Sequence, residues 1–479
     1  MHGAKLVVDR KALKKVVAPP RLLSRGKRLE PVRFPLEGPL RADPLNPRYF
    51  TNHSGRPVFL TGSHTWANFI DLGRSDPPRR FDYSTYLKFL SAHNHNFFRL
   101  WVWEQNGWNT ASWLPAAEVV WSAPLPYPRS GPGLALDGKP KFDLTKFNED
   151  YFARLRDRVL QAGECGIYVS IMLFNGFSIE AKSGEPNPWP GHPFNAANNI
   201  NGIDGDLDSH GDGKKTHSLS SPAITALQEA YVRKVVDSVS DLDNVLFEIS
   251  NESRPESREW QFHLIRYVKQ CESGKAKQHP VGMTVAWPGG DNADLWSSPA
   301  DWVSPNGDLQ PRTPADGRKV IIDDTDHLCG VCGTVSWVWQ SFLSGRNPIF
   351  MDPYDASDEL RKTFRLDPRM PKWDAVRQNL GYALTYANCI GLAAMSPHGE
   401  LATSGYCLAN LRPGESEYMV YFPDGYGTVD LPARDVFEAE WLCPANGRVY
   451  RGKTTTGGQK QFTAPFHRDA VLHLQERVS

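Results

Sequence analysis

The sequence predicts an α/β protein, a (β/α)8 TIM barrel followed by a small antiparallel β-sandwich domain. Three observations point there. Eight short apolar runs between residues 58 and 351 alternate with segments whose apolar residues recur every three or four positions, the two periodicities of a strand–helix repeat. Several of those runs stop abruptly in polar or charged residues, as strands do where they emerge at the carboxyl edge of a parallel sheet. After about Ala402 the pattern changes to short alternating runs broken by Pro, Gly and Asp, the texture of an antiparallel sheet.

Residues 1–38 are basic, contain proline and lack periodicity, and are expected as a surface extension. The barrel is expected over 39–401. It opens on residues 48–60, two short strands around Ser54-Gly55, which is a hairpin signal. Barrel strands are expected at 58–62, 97–103, 167–174, 245–250, 281–287, 302–304, 320–324 and 348–351. Helical spacing marks 83–92, 151–162, 223–239, 260–271 and 373–384. A doubly wound sheet would also alternate strands and helices, but the first βα turn lacks G-x-G-x-x-G and no Walker A sequence occurs. In the last segment, 402–479, strands are expected at 418–421, 428–431, 437–442, 447–450 and 470–474.

The chain of 479 residues can bury a large core without staples. Its 54 Lys and Arg residues balance 54 Asp and Glu, so nothing favours a nucleic acid or an anionic membrane as partner. No run approaches the length of a membrane span, and no secretory signal is expected, because the basic start leads into Ala-Pro-Pro-Arg rather than an apolar stretch. Seven scattered cysteines argue against a disulfide framework. Fifteen Trp and sixteen Tyr divide between core packing and flat faces suited to sugar rings.

The chemistry is expected where strands end. The run Val245-Leu246-Phe247-Glu248-Ile249-Ser250-Asn251-Glu252 closes a buried strand with an amide and a carboxylate, and Glu248, Ser250 and Glu252 share one face by parity. Strand one ends in His64 and Trp66, and strand two places Arg99 on the face of Trp101 and Trp103, followed by Glu104. Strand three ends at Asn175, strand five at Trp287 and strand eight at Asp352. Strand seven passes from aliphatic residues into Asp323, Asp324, Asp326 and His327; Asp324 and Asp326 share the parity of Val320 and Ile322. Two carboxylates facing each other across a barrel mouth suffice to hydrolyse a glycosidic bond, one giving a proton to the leaving oxygen and the other attacking or activating water. Capping of a helix start is the structural alternative for the strand-seven acids.

Phe247-Glu248-Ile249-Ser250-Asn251-Glu252, with Arg99 on strand two and an acidic strand seven, resembles clan A of the glycoside hydrolases. The hairpin before His64-Thr65-Trp66, the run Arg99 to Glu104 and the C-terminal β region are similar, more narrowly, to cellulase-like bacterial barrels related to apiosidases. The resemblance covers residues from about 40 onward and implies an acid/base Glu252 paired with Asn251, a nucleophile after strand seven, and retention of configuration. This chain departs from the clan in offering Asp rather than Glu there. The shorter side chain either approaches through a backbone shift or leaves room for a water. Asp324 is the first choice and Asp326 the second. Glu252 is expected to donate the proton with a raised pKa. Substrate-binding positions are expected at His64, Trp66, Arg99, Trp101, Trp103, Glu104, Asn175, Asn251, Trp287, His327, Trp337 and Asp352.

The partner is thus expected to be a carbohydrate, with no cofactor and no metal. Two other readings stay open: a carbohydrate-binding protein without turnover, and a metal-dependent hydrolase using the Asp and His clusters. Asp204, Asp206, Asp208 and Asp212 resemble a calcium loop in spacing but lack the twelfth-position Glu. His327, Cys329 and Cys332 form only half of a zinc pattern. The C-terminal region is expected to brace the barrel, with Trp441 and Tyr450 as the alternative sugar contacts.

Overall fold

The computed structural model describes residues 27–109, 119–182, 184, 186–310, 313–354 and 367–477; residues 1–26 of the expected extension lie outside them. Eight parallel strands form the central sheet: β1 (Gly62–His64), β2 (Phe97–Leu100), β3 (Tyr168–Asn175), β4 (Val245–Asn251), β5 (Val281–Thr284), β6 (Trp302–Ser304), β7 (Val320–Asp324) and β8 (Asn347–Met351). They run in the order β1-β8-β7-β6-β5-β4-β3-β2. Asn96 brings the two ends together. Its backbone N–H donates to Thr61 O at 3.0 Å, and its side chain accepts from Thr61 N at 2.9 Å and donates to Phe59 O at 2.8 Å. An amide side chain there stands in for a missing strand ladder, and the barrel is nearly closed.

The helices are α1 (Tyr83–Ala92), α2 (Glu149–Glu164), α3 (Pro222–Val239), α4 (Arg258–Glu272), α5 (Asn292–Ser297), α6 (Thr325–Leu328), α7 (Val335–Leu343) and α8 (Pro371–Ala387). Buried Tyr86, Leu90, Leu155, Val159, Val232, Val236, Leu264 and Val268 carry the expected helical stripes onto the outside of the sheet. The inside is filled at its lower end by Phe97, Tyr168, Leu246, Trp302, Val320, Ile322 and Ile349, closed by Leu40, Phe50 and Leu60. Phe50–Thr51 and Pro57–Val58 pair antiparallel in the hairpin that the Ser-Gly turn predicts. That pairing uses residues 57–58, so the first barrel strand starts later than expected, at Gly62. Gly282 faces Trp302 across β5 and β6; a Cβ there would fall 1.9 Å from the indole, so the glycine makes room for the ring.

The C-terminal strands are β9 (Cys407–Asn410), β10 (Glu417–Phe422), β11 (Tyr426–Cys443), β12 (Arg448–Arg451), β13 (Thr455–Thr463) and β14 (Ala470–Glu476). The two runs expected at 428–431 and 437–442 are one long strand. β11 pairs with β13 on both sides of a register shift between Leu431 and Val436 and, from Phe437 onward, with β14 and then β12, so the antiparallel sheet curls over itself. One face encloses Val420, Phe422, Leu431, Phe437, Leu472 and Trp441, which is 4% exposed and therefore a core residue. The other presents Leu408, Met419, Tyr421, Leu442 and Val471 to α7 and α8. Residues 27–29 join this layer through Leu29 N–H to Gly447 O at 2.7 Å and Val449 N–H to Lys27 O at 3.1 Å.

Cys329 and Cys332 are paired as a local disulfide, and the other five cysteines are unpaired. Among the described residues no group of three His, Cys, Asp or Glu side chains is arranged to hold a metal ion, and no helix is long and apolar enough to cross a membrane. In the acidic loop Asp204 and Asp206 accept from the backbone N–H groups of Asp206, His210 and Gly211, and Asp212 pairs with Lys214.

Candidate active site

Arg99 is the hub. It leaves β2 into the barrel, is 1% exposed, and holds three carboxylates and an amide. Its Nε and Nη2 donate to both oxygens of Glu248 at 2.9 and 2.5 Å. Nη1 donates to Asp324 Oδ2 and Asp326 Oδ2, each at 2.9 Å, and Nη2 also reaches Asn251 Oδ1 at 2.8 Å. Glu248, in the middle of an apolar strand, is thus the counter-ion that lets a guanidinium sit inside the barrel. Burial would lower the Arg99 pKa, but Glu248, Asp324 and Asp326 outweigh it and hold the group charged.

The two strand-seven acids differ. Asp324 ends β7 with no exposed side-chain surface, and every contact is internal: Oδ1 faces His64 Nε2 at 3.0 Å and accepts from Asp326 N–H at 3.0 Å, while Oδ2 takes Arg99. Burial alone would raise its pKa; His64 and Arg99 overcome this and hold it far below the usual range. Asp326 lies beyond the strand on α6 rather than at a strand position, and keeps 8% of its side-chain surface exposed. Burial and the neighbouring Asp324 charge push it up to about 6 against the pull of Arg99.

Glu252 is likewise no longer on its strand. β4 ends at Asn251, and Glu252 has φ +46°, a left-handed conformation that strains a non-glycine residue and recurs at functional sites. Its carbonyl accepts from Lys182 Nζ, and Gly176 passes so close that a Cβ there would lie 2.3 Å from that oxygen. The residue is 8% exposed. Burial, then repulsion from Asp326, raises the carboxyl well above the ordinary glutamate value, opposed by Lys182 and Arg99.

His327, on α6, is pushed down to about 3 by burial and by Arg99, so its imidazole is neutral. Because Asn251 Oδ1 accepts from Arg99, its orientation is set, and His327 Nε2–H donates to that oxygen at 3.2 Å. Nδ1 then accepts from Ser304 Oγ–H at 2.7 Å. Among the described residues Asn251 Nδ2 is buried without a partner, as is His64 Nδ1. His64 lies parallel to Trp101 at 5.6 Å, and the Arg99 guanidinium stands 5.0 Å from the same ring.

Other expected positions have other duties. Glu104 accepts from Asn175 N–H at 2.7 Å and faces His217 Nε2 at 3.1 Å; His217 Nδ1 faces Ser253 Oγ at 2.8 Å. The Glu–His–Ser order resembles a nucleophilic triad, but Ser253 is 1% exposed, so the array braces the turn after Glu252. Asn175 is spent on Phe177 N–H and Val102 O. Trp103 stacks on Trp108 at 4.9 Å and donates to Trp66 O at 3.0 Å. Trp66 and Trp287 remain partly exposed at the ends of β1 and β5, Trp287 lying parallel to Phe177 at 5.8 Å. Two further expected positions are engaged within the protein: Trp337 is fully buried on α7 and donates to Asp323 at 3.1 Å, and Asp352, just past β8, is locked onto Arg377 at 2.5 and 2.8 Å. Lys182, His217, Ser304 and Asn68, which donates to Arg99 O at 2.7 Å and accepts from Trp101 N–H at 2.8 Å, carry no sequence signal; Glu248 does, as a charge inside an apolar strand.

A family model described as a domain of unknown function (DUF6298) matches residues 110–291, which include Asn251 and Glu252. No protein of curated function matches the sequence. Among solved structures, the chain is similar to a provisionally assigned glycoside hydrolase from Bacteroides vulgatus, at 13% identity and TM-score 0.60 over 92% of this chain and 83% of that one. It is similar also to a family 5 glycoside hydrolase from Bacteroides vulgatus, at 13% identity and TM-score 0.58 over 92% and 93%. A third, named as a glycoside hydrolase, gives 13% identity and TM-score 0.56 over 94% and 99%. At such identity the likeness is one of fold: the chain shares a (β/α)8 barrel fold with these structures.

Proposed function

We propose that the chain hydrolyses glycosidic bonds, with Glu252 as proton donor and Asp326 as the second carboxylate. One observation carries this reading: of the four acids around Arg99, only Glu252 and Asp326 keep exposed surface together with raised pKa values, while Glu248 and Asp324 are enclosed. Near neutral pH Glu252 holds its proton for the leaving oxygen, and Asp326 is ionised and attacks the anomeric carbon. Asp326 stands two residues past Asp324, on α6 beyond the strand end, and attack by its carboxylate would proceed through a covalent intermediate and retain configuration. Asn251 Nδ2, buried and without a partner among the described residues, would donate to a sugar hydroxyl. The partly exposed Trp66 and Trp287 offer apolar faces to a pyranose or furanose ring.

Release of free sugar from a panel of glycosides tests the assignment. Glu252→Gln and Asp326→Asn are each expected to lower kcat by roughly 100-fold or more. Wild-type rates in both variants, or sugar binding with no turnover by the wild-type protein, would overturn it.

A further inference from the structure

Lys182 lies on the loop after β3 with no side-chain surface exposed. An enclosed ammonium needs an acceptor for each of its donors, and here they come from separate segments. Nζ donates to the carbonyl of Glu252 after β4, to the carbonyl of Trp287 after β5 at 2.8 Å, and lies 3.7 Å from Glu180 Oε1. It sits below the Phe177–Trp287 stack, 5.5 and 5.7 Å from the two ring centres. Trp287 N–H in turn donates to Ser253 O at 3.0 Å, so the segments after β4 and β5 are tied together at Glu252 and at the residue that follows it.

We propose that Lys182 is a positioning residue of this site: its buried ammonium group fixes the left-handed Glu252 backbone against the Trp287 wall and keeps a positive charge beside the acid. The proposal rests on reading Glu252 as the proton donor. A side chain that merely filled the space could be apolar; what distinguishes lysine is the pair of carbonyls it gathers. The charged groups acting on Lys182 are Glu180, Glu252 and Arg254, and those acting on Glu252 are Asp326, Lys182, Arg99 and Asp324. Glu180 is shared with Arg254 Nε at 2.5 Å and with Lys214 at 3.9 Å. Burial lowers Lys182 to about 8, against the pull of Glu180 and Glu252, which leaves it charged at neutral pH.

Lys182→Met keeps the bulk and removes the charge and the donors; Lys182→Gln keeps a donor. Isotope-edited NMR, with Glu252→Gln identifying the Glu252 signal, follows the carboxyl without a substrate. In both Lys182 variants its pKa is expected to rise by about one pH unit or more. With a nitrophenyl glycoside that the wild-type protein cleaves, Lys182→Met is expected to lower kcat about tenfold or more with a smaller change in KM, and Lys182→Gln to recover part of that loss. A folded Lys182→Met with wild-type kcat and an unmoved Glu252 titration overturns the proposal, and so does loss of fold in both variants, which would make Lys182 a general structural residue. Wild-type rates in Glu252→Gln would instead remove the acid assignment itself, so the two failures are distinguishable.

Discussion

Arg99 can be buried only because Glu248 answers both arms of its guanidinium, and the remaining donors then bind Asp324, Asp326 and Asn251. Three carboxylates against one cation leave the cluster over-supplied with negative charge, and the proton is taken up by the member with the least support. That member is Asp326. In the folded chain it holds its proton up to about 6, above its ordinary value, so the native state binds the proton more tightly than the unfolded chain does. Its contribution to stability is therefore complete below the ordinary aspartate pKa and is lost as pH rises through about 6. Each tenfold difference in proton affinity between the folded and unfolded chain is worth about 1.4 kcal/mol. Urea unfolding at acidic and neutral pH should show this slope in the wild-type protein and a flatter one in Asp326→Asn. Cleavage should have the opposite acid limb, rising as Asp326 ionises and falling at higher pH where Glu252 gives up its proton; an acid limb that Asp326→Asn leaves in place would assign the nucleophile elsewhere. Glu252, Asn251, Arg99 and the strand-seven acids were legible in the sequence because charge interrupts or ends an apolar run. The choice between Asp324 and Asp326 was not, since it depends on which acid faces His64, a residue far away in the chain that only the closing of the barrel brings near.

Elements with a clear period were readable, and those without one were not. α1 matches its expected bounds, and α2, α3 and α4 lie within three residues of theirs, because each presents one apolar stripe to the sheet. α7 has no polar face to mark it: Trp337, Val338, Trp339, Phe342 and Leu343 are all buried between the barrel and the C-terminal sheet. Trp337 looked like a mouth residue from its place after strand seven, but its indole serves Asp323, which Ser341 and Arg346 also hold. Trp337→Phe is expected to lower stability by about 1–3 kcal/mol in urea unfolding, with KM unchanged; a KM effect without a stability loss would return Trp337 to the site. β5 owes its glycine to the neighbouring strand. Gly282→Ala would press a methyl group into the Trp302 ring and should cost about 1–3 kcal/mol, with full stability as the contrary result.

The whole molecule is a barrel clasped by a sheet. α7 and α8 have one side on the barrel and the other on the curled C-terminal sheet, while residues 27–29 run along its edge and the hairpin plugs the opposite end of the barrel. The order of these parts was readable because the change from helical to two-residue spacing after Ala402 is abrupt. That both faces of the last sheet are covered was not, because a strand buried on both sides has no polar alternation to lose. Beyond the carboxyl ends of the strands stand Glu252, just after β4, and Asp326, on α6 after β7, near enough for the Asp326 charge to raise the Glu252 carboxyl. A fluorinated glycoside that traps a covalent glycosyl-protein intermediate, followed by peptide mass spectrometry, tests that pairing most directly. The predicted result is one sugar attached to Asp326 and a much slower reaction in Glu252→Gln; a sugar on Asp324 or on any other carboxylate would contradict it.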